Sequence, residues 1–214
     1  QQHCHQTTFG MSERLLGAVV GVHGDDAGLI MPPSIAPIQA VVMPVASHLD
    51  EAVEPEARQI VQRLKAAGIR ARLDDRDMRP GAKHYDWEIK GVPIRVEIGP
   101  RDLSNGTFVS TMRTGGKESH PLIDLELYVR KGLDDVSAEL RSRSSTLLES
   151  KMRVLDALPD DPKDLDDGIV YEVAFDGNDA DAERLEKSTN LTLLGDDLHL
   201  SLIHISEPTR QVPI

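Results

Sequence analysis

Four charged side chains within residues 88–102 could together read nucleic-acid bases: Glu88, Arg95, Arg101 and Asp102. Guanine presents hydrogen-bond donors on one edge and acceptors on another. A carboxylate can accept from the donor edge, and an arginine or lysine can donate to the acceptor edge. Two carboxylates and two guanidiniums are therefore enough for two guanines. The alternative is an ordinary surface ion pair between Glu88 and Arg95, which would contribute little to stability.

A second chemical candidate is Arg14, at the beginning of an apolar segment. Ser12 stands where a helix N-cap is expected, so residues 13–23 are predicted to form a helix with Arg14 in its first turn. That end of a helix favours anions, and a guanidinium binds phosphate oxygens in pairs. Gly10 would let a ligand approach the backbone closely. Arg14 is therefore a candidate phosphate ligand, with an exposed arginine of no special role as the alternative.

The charge of the chain is distributed unevenly along its 214 residues. The formal net charge is −12, but residues 38–120 contain 13 Lys and Arg against 12 Asp and Glu. Residues 121–200 contain 9 against 20 and so hold most of the acidic excess. The middle of the chain can therefore meet phosphates locally.

A single cysteine, the absence of a long apolar run and the absence of a visible signal peptide favour a soluble cytoplasmic protein.

The segment that carries the four charged residues reads as a small α/β domain. A buried strand is predicted over residues 38–45, a helix from Val53 to Ala67, and an alternating strand over 69–74. A short helix over 83–90 and two further strands follow, over 93–98 and 107–112. This order predicts a mixed sheet of about five strands flanked by helices, within a domain spanning residues 38–120.

The flanking segments are predicted with less regular structure. Residues 3–10 could form a strand, the apolar helix after it should be buried, and Gly24 should end that helix in the left-handed conformation. Residues 25–37 are rich in glycine and proline and read as a linker. Residues 121–200 are expected to form a helical α+β region, with helical periodicity over 121–158, a strand over 169–174 and a helix over 181–187.

The last fourteen residues, 201–214, do not continue the preceding pattern. Their sequence, SLIHISEPTRQVPI, resembles translated sequencing-adapter read-through, so it is expected to be non-native, with a natural polar tail as the alternative.

Two segments resemble prolyl-tRNA synthetases of the archaeal/eukaryotic type. Residues 5–39, HQTTFGMSERLLGAVVGVHGDDAGLIMPPSIAPIQ, resemble the third signature motif that ends a class II catalytic domain, followed by the linker. Residues 74–102 contain W-E-x-K-G-V-P-x-R-x-E-x-G-P-R-D, a run specific to the prolyl enzymes. The resemblance is strong from residue 3 to about residue 120 and weak from there to about residue 195. Residues 1–24 would then be the end of a catalytic domain and 38–120 an anticodon-binding domain.

The resemblance implies a role for each candidate residue. Arg14 would hold the ATP γ-phosphate, with Gly10 and Ser12 lining the nucleotide site; Thr8 and Phe9 would border the proline pocket. Glu88, Arg95, Arg101, Asp102 and Lys117 would contact the anticodon of tRNA-Pro. The implied activity is the ligation of L-proline to tRNA-Pro with ATP and Mg²⁺ by a homodimeric enzyme. The first two class II motifs are missing, so this chain alone is expected not to aminoacylate. Because the rest of the catalytic domain is absent, much of the apolar surface of residues 3–24 is expected to be unburied.

The sequence departs from the resemblance at one metal site. Archaeal-type relatives often have a small zinc domain near the end of the chain, with two cysteines where Asp176 and Asp181 appear here. Thiolate zinc binding is therefore not expected, and these aspartates are read as an acidic loop, with weak binding of a hard cation as the alternative. His5, His23, Cys4 and Asp25 match no zinc spacing. Both histidines are interpreted as ordinary polar neighbours, and nothing marks Cys4 as an activated nucleophile.

Three functions remain open at this point. The first is proline–tRNA ligase, represented by a part that keeps anticodon recognition. The second is a free-standing RNA-binding module derived from such an enzyme, although a binding module has no need of the ATP-site segment HQTTFGMSER. The third is a related class II synthetase for histidine, threonine or glycine, against which the W-E-x-K-G-V-P-x-R run argues.

Overall fold

The fold was analysed in a computed structural model that describes residues 9–157, 159, 165–175, 179–189, 191 and 192. The chain divides into two compact units, the first ending at Thr146 and the second beginning at Leu147. The 26-residue helix α5, Leu125–Ser150, crosses this division.

The first unit is built on a mixed five-stranded sheet, which confirms the predicted fold class. The strand order is β2-β1-β3-β4-β5, with β1 parallel to both β2 and β3, and with β4 antiparallel to β3 and β5. The strands are β1 Ala40–Pro44, β2 Ala71–Leu73, β3 Ile94–Ile98, β4 Thr107–Met112 and β5 Lys117–Pro121.

The helices of this unit cover the two faces of the sheet unequally. Alternate strand residues point to one face, where α2 (Val53–Ala66) and the first half of α5 bury them in the main core. On the other face, α3 (Pro80–Ile89) places Trp87 against Val41 and Met43 of β1. The short helix α4, Pro100–Asn105, follows β3 directly. The first half of α5 belongs to the main core, so the compact unit continues past residue 120, where the sequence analysis set a boundary.

The segment predicted as a linker is packed within the first unit. Ile30 and Ala36 are buried, and the Arg70 side chain donates hydrogen bonds to the carbonyls of Pro33 and Ala36. At Gly91, which has φ +69°, a Cβ would lie 2.5 Å from the carbonyl oxygen of Leu29. The linker interpretation missed this contact because its glycines and prolines permit close backbone packing as well as flexibility.

Helix α1, Arg14–His23, begins one residue later than predicted, because its N-cap is Glu13 rather than Ser12. The Ser12 hydroxyl instead accepts a hydrogen bond from the amide of Arg14 at 3.4 Å. Gly24 is extended, with φ −72°, so the predicted left-handed end was wrong. The apolar pattern taken alone predicted a buried helix, whereas the missing catalytic partners predicted an exposed apolar surface, and the second prediction is confirmed for α1. Every residue of α1 is exposed or partly exposed, and four of its large apolar side chains are about half exposed, Leu15, Leu16, Val20 and Val22.

The second unit contains a small parallel pair of strands and a helix. Strand β6, Met152–Leu155, pairs with β7, Val170–Val173, and α6 spans Asp179–Thr189. The helical periodicity read over residues 121–158 is therefore correct only to Ser150, since Met152 and Leu155 lie in a strand. The predicted strand over 3–10 and the tail at 201–214 lie largely or wholly outside the described residues.

Within the described residues, none of the helices combines the length and the apolar character that a membrane span requires.

Candidate nucleic-acid interface

The polar half of one sheet face is the candidate interface. Helix α3 covers this face at β1, whereas polar side chains occupy most of it on β3, β4 and β5. Arg95 on β3 lies opposite Thr111 on β4, and Thr111 lies opposite Lys117 on β5. Residues paired in this way project from the same face, so the three side chains form a row across the sheet. We refer to this surface as the open face.

A nearly buried carboxylate lies beside this row. Glu97, two residues along β3 from Arg95, has a side chain that is only 10% exposed. Its Oε2 is 3.1 Å from the Lys117 amine, and its Oε1 is 3.1 Å from Nε2 of His84 on α3. Glu97 therefore connects β5 to α3 through one carboxylate.

The open face also concentrates unsatisfied polar atoms. In the described part of the chain, six buried side-chain nitrogen or oxygen atoms lack a hydrogen-bond partner, and four of them lie here: Arg95 Nε, Thr111 Oγ1, Glu97 Oε1 and His84 Nε2. The last two atoms are close to each other, but their geometry does not meet the angles of a hydrogen bond. Unpaired buried polar groups are costly, so their concentration on one face favours a site that a polar ligand completes.

The charge on His84 is controlled by this surface. Burial lowers the pKa of His84 from its ordinary value; Glu97 opposes that effect, whereas Arg95 and Lys117 add to it. Glu88, one turn along α3 from His84, raises the pKa of His84, as Glu97 does. His84 is therefore mainly neutral at neutral pH, and one of its ring nitrogens can act as an acceptor.

Three of the five predicted base contacts are close enough to influence one ring. Arg95, Lys117 and Glu88 all act on the charge of His84, and Glu88 is partly buried on α3. The backbone carbonyl of Glu88 accepts a hydrogen bond from Arg113 Nε at 3.1 Å. Arg113 directly follows β4, so this bond connects the C-terminal end of α3 to the end of that strand.

The other two predicted contacts lie on α4, beyond the carboxyl end of β3. Asp102 Oδ2 accepts the Gly99 amide at 2.9 Å and so caps the start of this helix. Arg101 is exposed on the same helix. In the sequence, G-P-R-D indicates only a source of side chains, whereas in the structure Asp102 also caps the helix that carries Arg101.

A buried ionic cluster anchors α3 over the sheet. Asp74 is 2% exposed and accepts hydrogen bonds from Trp87 Nε1 at 2.6 Å and from Arg76 at 2.7 and 2.8 Å. Burial alone would raise the pKa of Asp74, but these hydrogen bonds outweigh it and hold the pKa well below its usual range. In the sequence, Asp74, Asp75, Arg76 and Asp77 look like a solvated strand end, and this interpretation is wrong for Asp74. The sequence also offered Lys83 as a contact to the tRNA backbone, but its side chain is buried and donates to the Asp74 carbonyl.

Three residues at or beside the open face were not predicted from the sequence. Glu97 and Thr111 lie on the sheet, and His84 lies on α3 next to it. The signal for Glu97 was present, because the alternation of residues 93–98 puts Arg95 and Glu97 on one face of β3. Thr111 and His84 gave no such signal, since their relation to Arg95 depends on strand register and on the placement of α3.

The predicted ATP-site residues lie in and just before α1. Arg14 occupies the first turn of the helix, as predicted, and it is exposed together with Gly10, Ser12 and Phe9. Phe9 is 92% exposed. Thr8 lies outside the described residues.

Of the two aspartates that stand where relatives have zinc cysteines, the structure describes one. Asp181 lies in α6 and ion-pairs with Arg184 at 3.3 Å, whereas Asp176 lies outside the described residues. The described residues contain no group of three or more histidine, cysteine, aspartate and glutamate side chains that could hold a metal ion.

Comparisons with known proteins cover the region that contains the open face. Residues 39–132 match the family described as "Anticodon binding domain". The chain is 43% identical over 198 residues to a proline–tRNA ligase of Thermococcus kodakarensis and 42% identical over 200 residues to one of Pyrococcus abyssi. These alignments cover 91% and 90% of this chain but 41% of each relative. A proline–tRNA ligase of Methanoculleus marisnigri is 36% identical over 97% of the chain, which spans 43% of that relative. The chain thus spans about two fifths of the length of these relatives.

Proposed function

Since this chain is a relative of proline–tRNA ligases and contains an anticodon-binding domain, we propose that it recognises the anticodon of tRNA-Pro for such a ligase. The complete enzyme would attach L-proline to tRNA-Pro with ATP and Mg²⁺, as a homodimer in the cytoplasm. The observation that supports this proposal most is the open face, where arginine and lysine donors lie among unpaired buried polar atoms.

The proposed chemistry assigns one guanine to Glu88 and Arg95. Proline anticodons end in two guanines, and loop bases of RNA can turn out of the stack toward a protein surface. Arg95 would donate to O6 and N7, while the Glu88 carboxylate would accept from N1 and N2. Adenine has an amine in place of O6 and lacks those two donors, so Glu88 would lose both partners, and Arg95 would keep only N7 and face a donor.

The second guanine is assigned to Lys117, Arg101 and Asp102. The Lys117 side chain is 60% exposed and can reach a base that lies on the open face. One oxygen of Asp102 caps α4, which leaves Oδ1 to accept from a base. Arg101, exposed on the same helix, would donate to the base or to a phosphate beside it.

The nucleotide end of the enzyme is proposed to include α1. Arg14 would donate to the γ-phosphate of ATP, because a guanidinium in the first turn of a helix is placed where anions are favoured. Gly10 and Ser12 would border the nucleotide, and Thr8 and Phe9 the proline. The exposure of Gly10, Ser12 and Arg14 leaves them available for such contacts.

Arg95→Ala and Glu88→Ala should each remove most of the preference for guanine. The quantity compared is the affinity for two matched RNAs. One is an anticodon stem–loop of tRNA-Pro, and the other is the same RNA with one anticodon guanine changed to adenine. Leaving base-reading groups unpaired costs roughly 1–3 kcal/mol, so each variant should lose about five- to a hundred-fold of discrimination. Binding titrations at one fixed salt concentration measure the ratio.

Arg58→Ala is the matched control for the arginine variant. It removes one positive charge from α2, which covers the opposite face of the sheet, and its partner Asp75 is exposed. This variant should keep the guanine preference of the wild-type protein. An Arg95→Ala protein that also keeps the preference would contradict the assignment of Arg95.

A further inference from the structure

Glu97 is a buried acidic residue in a position where an apolar residue would suit the fold. Its cross-strand neighbours are Met43 on β1 and Val109 on β4, both apolar. Burying a carboxylate is expensive, and well-packed hydrophobic residues often replace buried ion pairs without loss of stability. A residue that opposes the local packing preference in this way points to a functional requirement.

The contacts of Glu97 indicate what that requirement is. Its two oxygens lie 3.1 Å from the Lys117 amine and 3.1 Å from the His84 ring, on elements to either side of β3. Its own side chain is only 10% exposed, whereas that of Lys117 is 60% exposed. Glu97 is thus poorly placed to present both oxygens to a base, while Lys117 is well placed to meet one.

We propose that Glu97 is a positioning residue that holds the Lys117 amine over the open face and thereby sets the selectivity for guanine. This inference rests on the proposed anticodon function. A lysine side chain has many rotamers, and fixing one of them before the RNA arrives removes an entropic cost from binding. A fixed amine can donate a hydrogen bond only to a base whose acceptor atom lies at one position. A mobile amine could adjust to acceptors at different positions and would therefore discriminate less between bases.

His84 is the second neighbour of Glu97. Glu97 and Glu88 raise the pKa of this ring, whereas Arg95 and Lys117 lower it. The ring lies against Glu97 at the point where α3 meets the open face. This contact lies between α3, which carries Glu88, and the row of Arg95, Thr111 and Lys117.

Glu97→Gln tests the proposal, because it keeps the size of the side chain and removes its charge. The titration uses the 214-residue protein and the matched RNA pair, with guanine or adenine at one anticodon position. We expect discrimination to fall by about five-fold or more, the scale of coupling between contacting residues. Thermal stability should not fall, since an uncharged side chain is easier to bury.

A double-mutant cycle separates positioning from a general structural effect. In a Lys117→Ala background, Glu97→Gln should have no further effect on discrimination, because the amine that it positions is gone. An NMR titration adds a second readout: the charge of Glu97 raises the pKa of His84, so Glu97→Gln should lower that pKa further.

Glu118→Gln is the matched control. It makes the same change of charge on the residue next to Lys117 in β5, but its cross-strand partner is Ser110 rather than a residue of the open face. This variant should keep the discrimination of the wild-type protein and the pKa of His84.

Two results would overturn the role of Glu97 while leaving the anticodon function intact. One is wild-type discrimination in the Glu97→Gln protein. The other is an equal loss of discrimination with and without Lys117. A wild-type protein that binds both RNAs alike would instead overturn the anticodon function itself and this inference with it.

Discussion

Asp74→Ala is expected to lower the free energy of unfolding by about 3–5 kcal/mol, the cost of removing one partner from a buried charge cluster. The change leaves the Trp87 indole nitrogen without its 2.6 Å acceptor and Arg76 without its bidentate partner. Lys83, itself buried, loses a carboxylate 4.0 Å from its amine. Because Trp87 is the only tryptophan, its fluorescence during urea unfolding measures the change directly.

The stabilisation by Asp74 should depend on pH in a defined direction. Its pKa is lower in the folded protein than in the unfolded chain, where an aspartate titrates near about 3.9. The stabilisation is therefore fully present above that pH and is lost as the pH falls from there toward the folded-state pKa. The difference in stability between wild type and Asp74→Asn should accordingly be constant from pH 7 to about 5 and shrink in more acidic solution.

Asp75→Ala is the control for Asp74. The Asp75 side chain is 46% exposed and pairs with Arg58 at the surface, so its loss should cost less than about 1 kcal/mol. An Asp74→Ala protein as stable as the Asp75→Ala protein would contradict the role of Asp74 in anchoring α3.

Arg14→Ala, introduced into a complete proline–tRNA ligase that contains this segment, is expected to slow adenylate formation by about 10²–10³-fold. That range is typical of removing one preorganised donor from developing charge in a transition state. Proline-dependent ATP–pyrophosphate exchange measures the step. Arg58→Ala in the same enzyme should leave the exchange rate unchanged, since Arg58 is exposed on α2. Near-normal exchange in the Arg14→Ala enzyme would remove Arg14 from the ATP site.

Much of the first unit could be predicted from the sequence because its elements alternate or repeat clearly. The strands at 93–98 and 107–112 and the helix from Val53 obey simple periodicities, and the structure contains all three. Helix α4 was missed because it is only six residues long and begins with Gly-Pro, which reads as a turn. Strand β6 was missed because Met152 and Leu155 continue a helical spacing by chance, after the helix has ended at Ser150.

The candidate site could be predicted in part. The charged residues around β3 were found from their types and spacing, together with the family resemblance. Asp74 and Lys83 were misread because a run of charged residues is usually solvated, and only the tertiary structure shows that Trp87 and Arg76 enclose this carboxylate. Thr111 and His84 depend on strand register and on helix placement, neither of which short-range patterns determine.

The measurement closest to the central claim is a binding titration of the unmodified protein against the matched RNA pair at one fixed salt concentration. The proposed pairing of Glu88 and Arg95 with opposite edges of guanine predicts tighter binding of the guanine RNA by about five- to a hundred-fold. Equal affinity for the guanine and adenine RNAs would contradict recognition of the anticodon by the open face.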